Sequence, residues 1–150
     1  MLRENLQNSL KEAMKQHDTK SVNAIRLIIA GQKEKDVEAR GKGREQASDA
    51  ELLTMMQTMI KQRNESIKIY TQGNRPDLAA KEQDEIDVIM RFLPQQMDAQ
   101  AVEQAIRAAI QESGASSIRD MGKVMALLKE KYAGQMDFAS ASGVIKELLA

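Results

Sequence analysis

From Ser48 to Gln96 two apolar stripes flank a single break, and a chain patterned this way folds back on itself as a pair of helices. Ser48 and Glu51 have the S-x-x-E spacing in which each side chain satisfies a backbone N–H left open at a helix start, so a helix begins near Asp49. Leu52, Met56, Met59, Ile60, Ile67 and Tyr70 then recur at three- and four-residue steps, interrupted only by Arg63. Gly73 suits the left-handed residue that ends a helix, and Pro76 suits the first turn of the next. Leu78, Ala79, Ile86, Ile89, Met90 and Leu93 make the returning stripe, which stops where Pro94 forces Leu93 out of helical geometry. Folding at Gln72–Arg75 places Tyr70 beside Leu78, Ile67 near Glu82, Arg63 near Glu85 and Met56 near Phe92. Arg63 then lies within about one turn of both Glu82 and Glu85. A charge on a buried stripe persists when paired, so the three residues are expected to form a structural ion pair, with the inward-facing Glu82 the favoured partner.

The rest of the composition agrees with helices. The chain has two Pro, two Phe, two Tyr and no Trp, little for sheet packing, while Ala, Gln, Glu, Lys, Leu and Met favour helix. An all-α fold follows, with 150 residues enough for one ordinary domain or two small ones. Having no Cys and a single His excludes thiolate chemistry and makes a resident metal or metal catalysis improbable; no cofactor is expected. His17 reads as a solvated turn residue, since no carboxylate cluster accompanies it. No apolar run spans a bilayer, and the opening MLRENLQNSLKEAMK is a charged amphipathic helix rather than a signal peptide, which points to the cytoplasm. Net charge is zero, so no global field draws the chain to nucleic acid or a membrane; any polyanion site must be local, and no DNA partner is expected. The basic excess of Lys61–Arg75 and the acidic excess of Asp77–Asp87 are expected to neutralise each other across the hairpin.

Taken in order, a first helix covers about Leu2 to Gln16, with Leu2, Leu6, Leu10, Ala13 and Met14 on one face. Asp18 or Thr19 caps a second, apolar at Val22, Ile25, Leu27, Ile28 and Ile29 and then highly charged, so its second half is expected to project into water. The run RGKGREQA reads as a mobile loop able to touch phosphates, but it is no phosphate-binding loop: no Ser or Thr follows the Lys and no strand precedes it. Beyond Pro94 the helices become shorter and richer in Ala, with Gln95–Gln100 a linker. Asp98 caps one helix closed by Gly114, Ser117 and Asp120 open another, and Asp137 caps the last. The expected architecture is an N-terminal domain of two helical hairpins over residues 1–95 and a three-helix domain over 96–150. The ten Met residues are read mainly as core filling.

The stretch KQRNESIKIYTQGNRPDLAAKEQDEIDVIMRFLPQQM closely resembles the signature of the GatB/YqeY family. DMGKVM at Asp120–Met125 does so too, as do Gly134, Asp137, Ser142 and Lys146 at the family's spacing. The resemblance covers essentially the whole chain, which looks like a stand-alone YqeY-like protein. It implies a helical domain followed by a small three-helix domain, similar to the tail of the B subunit of aspartyl/glutamyl-tRNA amidotransferase, a carbon–nitrogen ligase with glutamine as amido donor. In that enzyme the tail is implied to hold tRNA while catalysis occurs elsewhere. Nothing here resembles the Ser and Lys constellation of an amidase subunit or the metal-bearing phosphorylation site, so no catalytic residue is assigned.

The expectation is therefore a non-catalytic module that binds tRNA or associates with an enzyme, an amidotransferase or aminoacyl-tRNA synthetase component. Arg119, Lys123 and Lys146 around the DMGKVM turn are the candidate RNA-binding cations, able to hold a phosphate backbone without reading sequence. The same residues also fit a packing motif, with Gly122 for helix contact and Lys123 solvated. A protein adaptor without RNA contact is the alternative. An enzyme using Glu82 and Glu85, or Asp84 and Asp87, as acid and base is the third class, although acids at such spacing are ordinary on a solvated helix face.

Overall fold

A computed structural model describes residues 1–150 and contains seven α-helices, one 3-10 turn and no strand. The chain divides into two compact units, Met1–Leu93 and Pro94–Ala150, each with its own core.

The first unit holds α1 (Leu2–Lys15), α2 (Thr19–Gly41), α3 (Asp49–Gln72) and α4 (Pro76–Met90). α2 is central and packs on the other three, while α3 and α4 pair as the hairpin. Leu6, Ile25, Ile28, Leu52, Met56 and Ile89 are fully buried between them, and each contributes on the order of 2 kcal/mol by leaving water. Ser48 caps α3 by accepting the Glu51 N–H at 3.2 Å, as the S-x-x-E spacing requires. Asp18 caps α2, accepting both the Ser21 N–H and the Ser21 hydroxyl.

Several expectations need correction. The second half of α2 does not simply project: Asp36 and Ala39 are buried. Arg3 reaches Asp36 with two hydrogen bonds of 2.8 and 2.7 Å and the Ala47 carbonyl with a third of 2.7 Å, while the Ala47 N–H donates to Asp36 at 2.9 Å. This clasp fixes one end of the RGKGREQA segment, whose Arg40 and Gly41 still belong to α2 and whose residues 40–46 are exposed. Met14, Leu27 and Met90, assigned to inward stripes, are each more than 40% exposed, because α1, α2 and α4 bury narrower faces than the stripes extend. Gly73 is not left-handed. Its φ is −82°, and Asn74 at φ 56° takes that conformation, with the Arg75 N–H bonded to the Tyr70 carbonyl and the Asn74 N–H to that of Thr71. His17, also at φ 56°, closes α1 in the same way and is exposed.

The hairpin extends beyond its core. Leu52, Met55 and Met56 on α3, with Ile86, Val88 and Ile89 on α4, are buried, but no residue from 57 to 85 is. The outer half of the pair is thus an arm whose apolar residues are shielded mainly by each other.

The second unit holds α5 (Ala99–Ser113), a 3-10 turn (Ile118–Asp120), α6 (Met121–Tyr132) and α7 (Phe138–Leu149). Ile106, Val124, Leu128 and Ile145 form its fully buried centre. Asp98 caps α5 through the Ala101 N–H at 2.7 Å, and Asp137 caps α7 through the Ala139 N–H at 3.0 Å. Gly114, at φ 70°, ends α5. Ser117 makes no side-chain cap. Here the 3-10 turn separates it from α6, and Asp120 instead accepts the Ser116 N–H at 3.0 Å.

Candidate nucleic-acid interface

Arg119 lies in the 3-10 turn and Lys123 in the first turn of α6, and both are exposed. Lys146 is an exposed residue of α7, a helix that packs against that turn and against α6. The fold thus brings three cations to neighbouring elements, with Asp120 among them. The Ser116 N–H and then the Lys123 charge hold the Asp120 carboxyl below its ordinary range, so it is ionised at neutral pH. Lys123 stays 3.9 Å from it and is 71% exposed, free to turn toward another anion. With Asp120 present, this patch suits weak, salt-dependent contact with a phosphate backbone rather than a tight anion pocket.

Along α2 the structure shows cations that the sequence reading overlooked. Arg26, Lys33 and Arg40 follow one another at seven-residue spacing, almost two helical turns, so they form one exposed line with roughly 10 Å between neighbours. Lys20 and Lys35 on the same helix are engaged, with Asp84 at 3.0 Å and Glu38 at 3.2 Å. Arg26, Lys33 and Arg40 enter none of the ion pairs of the first unit. The signal was the period of seven, which a search for consecutive basic residues passes over. Lys42 continues the exposed basic surface into the loop, whereas Arg44 is held by both oxygens of Glu51.

An ion pair joins α3 to α4 within the hairpin. Arg63 Nε donates to Glu85 Oε2 at 2.8 Å and Arg63 Nη1 to the Met59 carbonyl at 3.1 Å. The partner is Glu85, not the favoured Glu82, because Glu85 lies level with Arg63 across the pair while Glu82 lies nearly a turn further toward the tip. Asp84 pairs with Lys20, and Asp87 accepts a hydrogen bond from Gln83. Of the carboxylates considered for acid–base work, three are therefore committed to neighbours.

A sequence model of the YqeY-like proteins matches residues 3–149. Among curated proteins, the chain is 36% identical over 90 residues to "altered inheritance of mitochondria protein 41, mitochondrial" of Saccharomyces cerevisiae (strain ATCC 204508 / S288c), covering 60% of this chain and 47% of that protein. The protein of the same name from Lachancea thermotolerans is 34% identical over 91 residues, covering 61% and 47%, and that from Candida glabrata 35% over 88 residues, covering 59% and 47%. The chain spans about half the length of these relatives. No helix of the chain is long and apolar enough to cross a membrane.

Proposed function

Because this chain belongs to the YqeY-like protein family, we propose that it is a non-catalytic module that binds tRNA in connection with tRNA-dependent amidation. The observation that carries the reading is the line of Arg26, Lys33 and Arg40, three exposed cations about 20 Å from end to end, none of them in an ion pair, although Asp36 feels the charge of Arg40 one turn along the helix. Regularly spaced, unpaired cations on a rigid helix suit a polyanion contacted through its backbone, and they gain affinity by releasing counterions rather than by reading bases. Arg119, Lys123 and Lys146 of the second unit supply a further, weaker set. The family's likeness to an amidotransferase tail directs the choice of RNA to tRNA. Association with an amidotransferase or an aminoacyl-tRNA synthetase follows as the setting in which a weak RNA grip is useful. The proposed compartment is the cytoplasm; the yeast relatives carry a mitochondrial name.

The test is tRNA binding at two salt concentrations by the native chain and by two triple variants, Arg26→Gln/Lys33→Gln/Arg40→Gln and Arg119→Gln/Lys123→Gln/Lys146→Gln. Each triple is expected to weaken binding by about 1–3 kcal/mol and to flatten the salt slope by roughly one per lost contact. All six residues are exposed, so melting temperatures should stay within a few degrees of native. Binding isotherms unchanged in both variants refute the RNA reading.

A further inference from the structure

Between α5 and α7 of the second unit lies an open groove of about 530 Å³. Its floor is apolar: Met97, Val102, Met136, Val144 and Leu148. Its rim carries three carboxylates, Glu103, Asp137 and Glu147, and neither Lys nor Arg lines it. One wall is fixed in place before any ligand arrives. The Met97 N–H donates to the Gln135 carbonyl at 2.9 Å, and Gln96 Nε2 to the Gly134 carbonyl at 2.7 Å, so the segment entering α5 is held against the one entering α7.

We propose that this groove receives an amphipathic helix of a partner protein, one that presents an apolar ridge flanked by Lys or Arg. The occupant is identified by charge complementarity. A nucleic acid would meet three carboxylates and no cation, while an apolar ridge alone would leave the rim unused. The rim charges are available in different degrees. Glu147 enters none of the ion pairs of this unit, and Glu103 is paired with Arg107 one turn along α5, an exposed contact that exchanges readily for a better partner. Asp137 contributes its charge while its oxygens cap α7 and accept the Ser140 hydroxyl. Two methionines in the floor let it adapt to the shape of a ridge. Such a site shares no residue with the proposed RNA contacts and is opposite to them in charge.

The experiment selects from a displayed library of amphipathic helices about four turns long, with a constant Leu ridge and randomised flanks, using the full chain and its Glu103→Gln/Glu147→Gln variant. Enrichment of Lys and Arg at the flanks on the native chain, with affinity for a selected peptide reduced roughly tenfold by the variant, is expected. Amide shifts on titrating that peptide should centre on Met97, Val102, Val144 and Leu148. Flanks that stay random or turn acidic overturn the proposal, as does binding unaffected by the variant. So does self-association of the chain abolished by the same two substitutions, which would make a second copy the occupant.

Discussion

In the first unit, elements distant in sequence are joined by polar contacts: Arg3 to Asp36 and Ala47, Lys20 to Asp84, Arg63 to Glu85, and Arg91 to the Ser21 hydroxyl. In the second, the ion pairs are exposed or local, Arg107 with Glu103, Lys123 with Asp120 and Lys131 with Glu112, and the entering segments are placed through backbone carbonyls. Helix length accounts for the difference. α2 and α3 run 23 and 24 residues, and the 14- and 15-residue α1 and α4 that these contacts join to them could slide by one turn along so long a partner with little loss of buried surface. A charge that must find its partner removes that freedom. α5, α6 and α7 have 15, 12 and 12 residues and ends set by Asp98, Gly114 and Asp137, so their register is fixed by where they start and stop.

The largest effect should come from the clasp at Asp36. Arg3→Met strands a buried carboxylate and is expected to cost on the order of 3 kcal/mol, with Arg3→Met/Asp36→Leu recovering only part of it, because the Ala47 N–H and carbonyl then lose their partners. Acid tests the same contact. The Arg3 guanidinium, helped by the Ala47 N–H, holds the Asp36 pKa down at about 2 against an ordinary 3.8. A depressed carboxyl contributes stability that is complete above the unfolded value and lost as pH falls through the folded one, so the loss falls between about pH 4 and 2. Hydrogen exchange followed across that range should show α1 and α2 losing protection before α5 to α7. The reverse order would break the comparison between the units.

A smaller loss is expected at the hairpin. Arg63 and Glu85 side chains are 15% and 19% exposed, between a wet surface pair and a dry one, so Arg63→Ala should cost about 2 kcal/mol. Glu85→Gln should come close to that figure and Glu82→Gln should cost little, as read from urea midpoints. Arg63→Leu/Glu85→Leu should restore much of the stability. Equal losses at Glu82 and Glu85 would mean that the arm samples more than one register and that the ion pair does not set it.

What could be read in the sequence followed local rules. Caps at Asp18, Ser48, Asp98 and Asp137 and the break before Pro76 each depend on residues within one turn, and all are visible in a short window. Asp36 depends on a partner 33 residues away, and in a charged run it looks like its solvated neighbours Glu34 and Glu38. A signal was nonetheless present, since Asp36 lies seven residues beyond the buried Ile29 and three before the buried Ala39, on the inward line of α2. The exposure of Lys123 was legible from its place beside the apolar stripe of Met121, Val124 and Met125. Asp120 stands between Arg119 and Lys123 in the sequence; what was not legible is that Ser117 makes no cap and that Asp120 instead accepts the Ser116 N–H, because S-x-x-D spacing does not reveal the intervening 3-10 turn.

The smallest effect concerns the turns, where the units differ again. The second unit uses only glycine at positive φ, Gly114 and Gly134, whereas the first places His17 and Asn74 there beside Gly43. A side chain in the left-handed region costs about 1 kcal/mol, least for Asn, whose short amide bonds locally. Asn74→Ala should therefore lower stability by roughly 1 kcal/mol, and Asn74→Gly should raise it by a few tenths. Gly73→Ala should be neutral or stabilising by up to about 0.5 kcal/mol, because its φ is −82° and an added Cβ would lie 3.4 Å from the nearest atom, the Ile69 carbonyl oxygen. Because no residue of the outer arm is buried, these changes should appear first in exchange of amides near the tip and only weakly in the global melt. If Gly73→Ala proves the costlier of the two alanine substitutions, the left-handed residue sits one position earlier in solution, and the register of α4 against α3, with the Arg63–Glu85 pairing that depends on it, shifts with the turn.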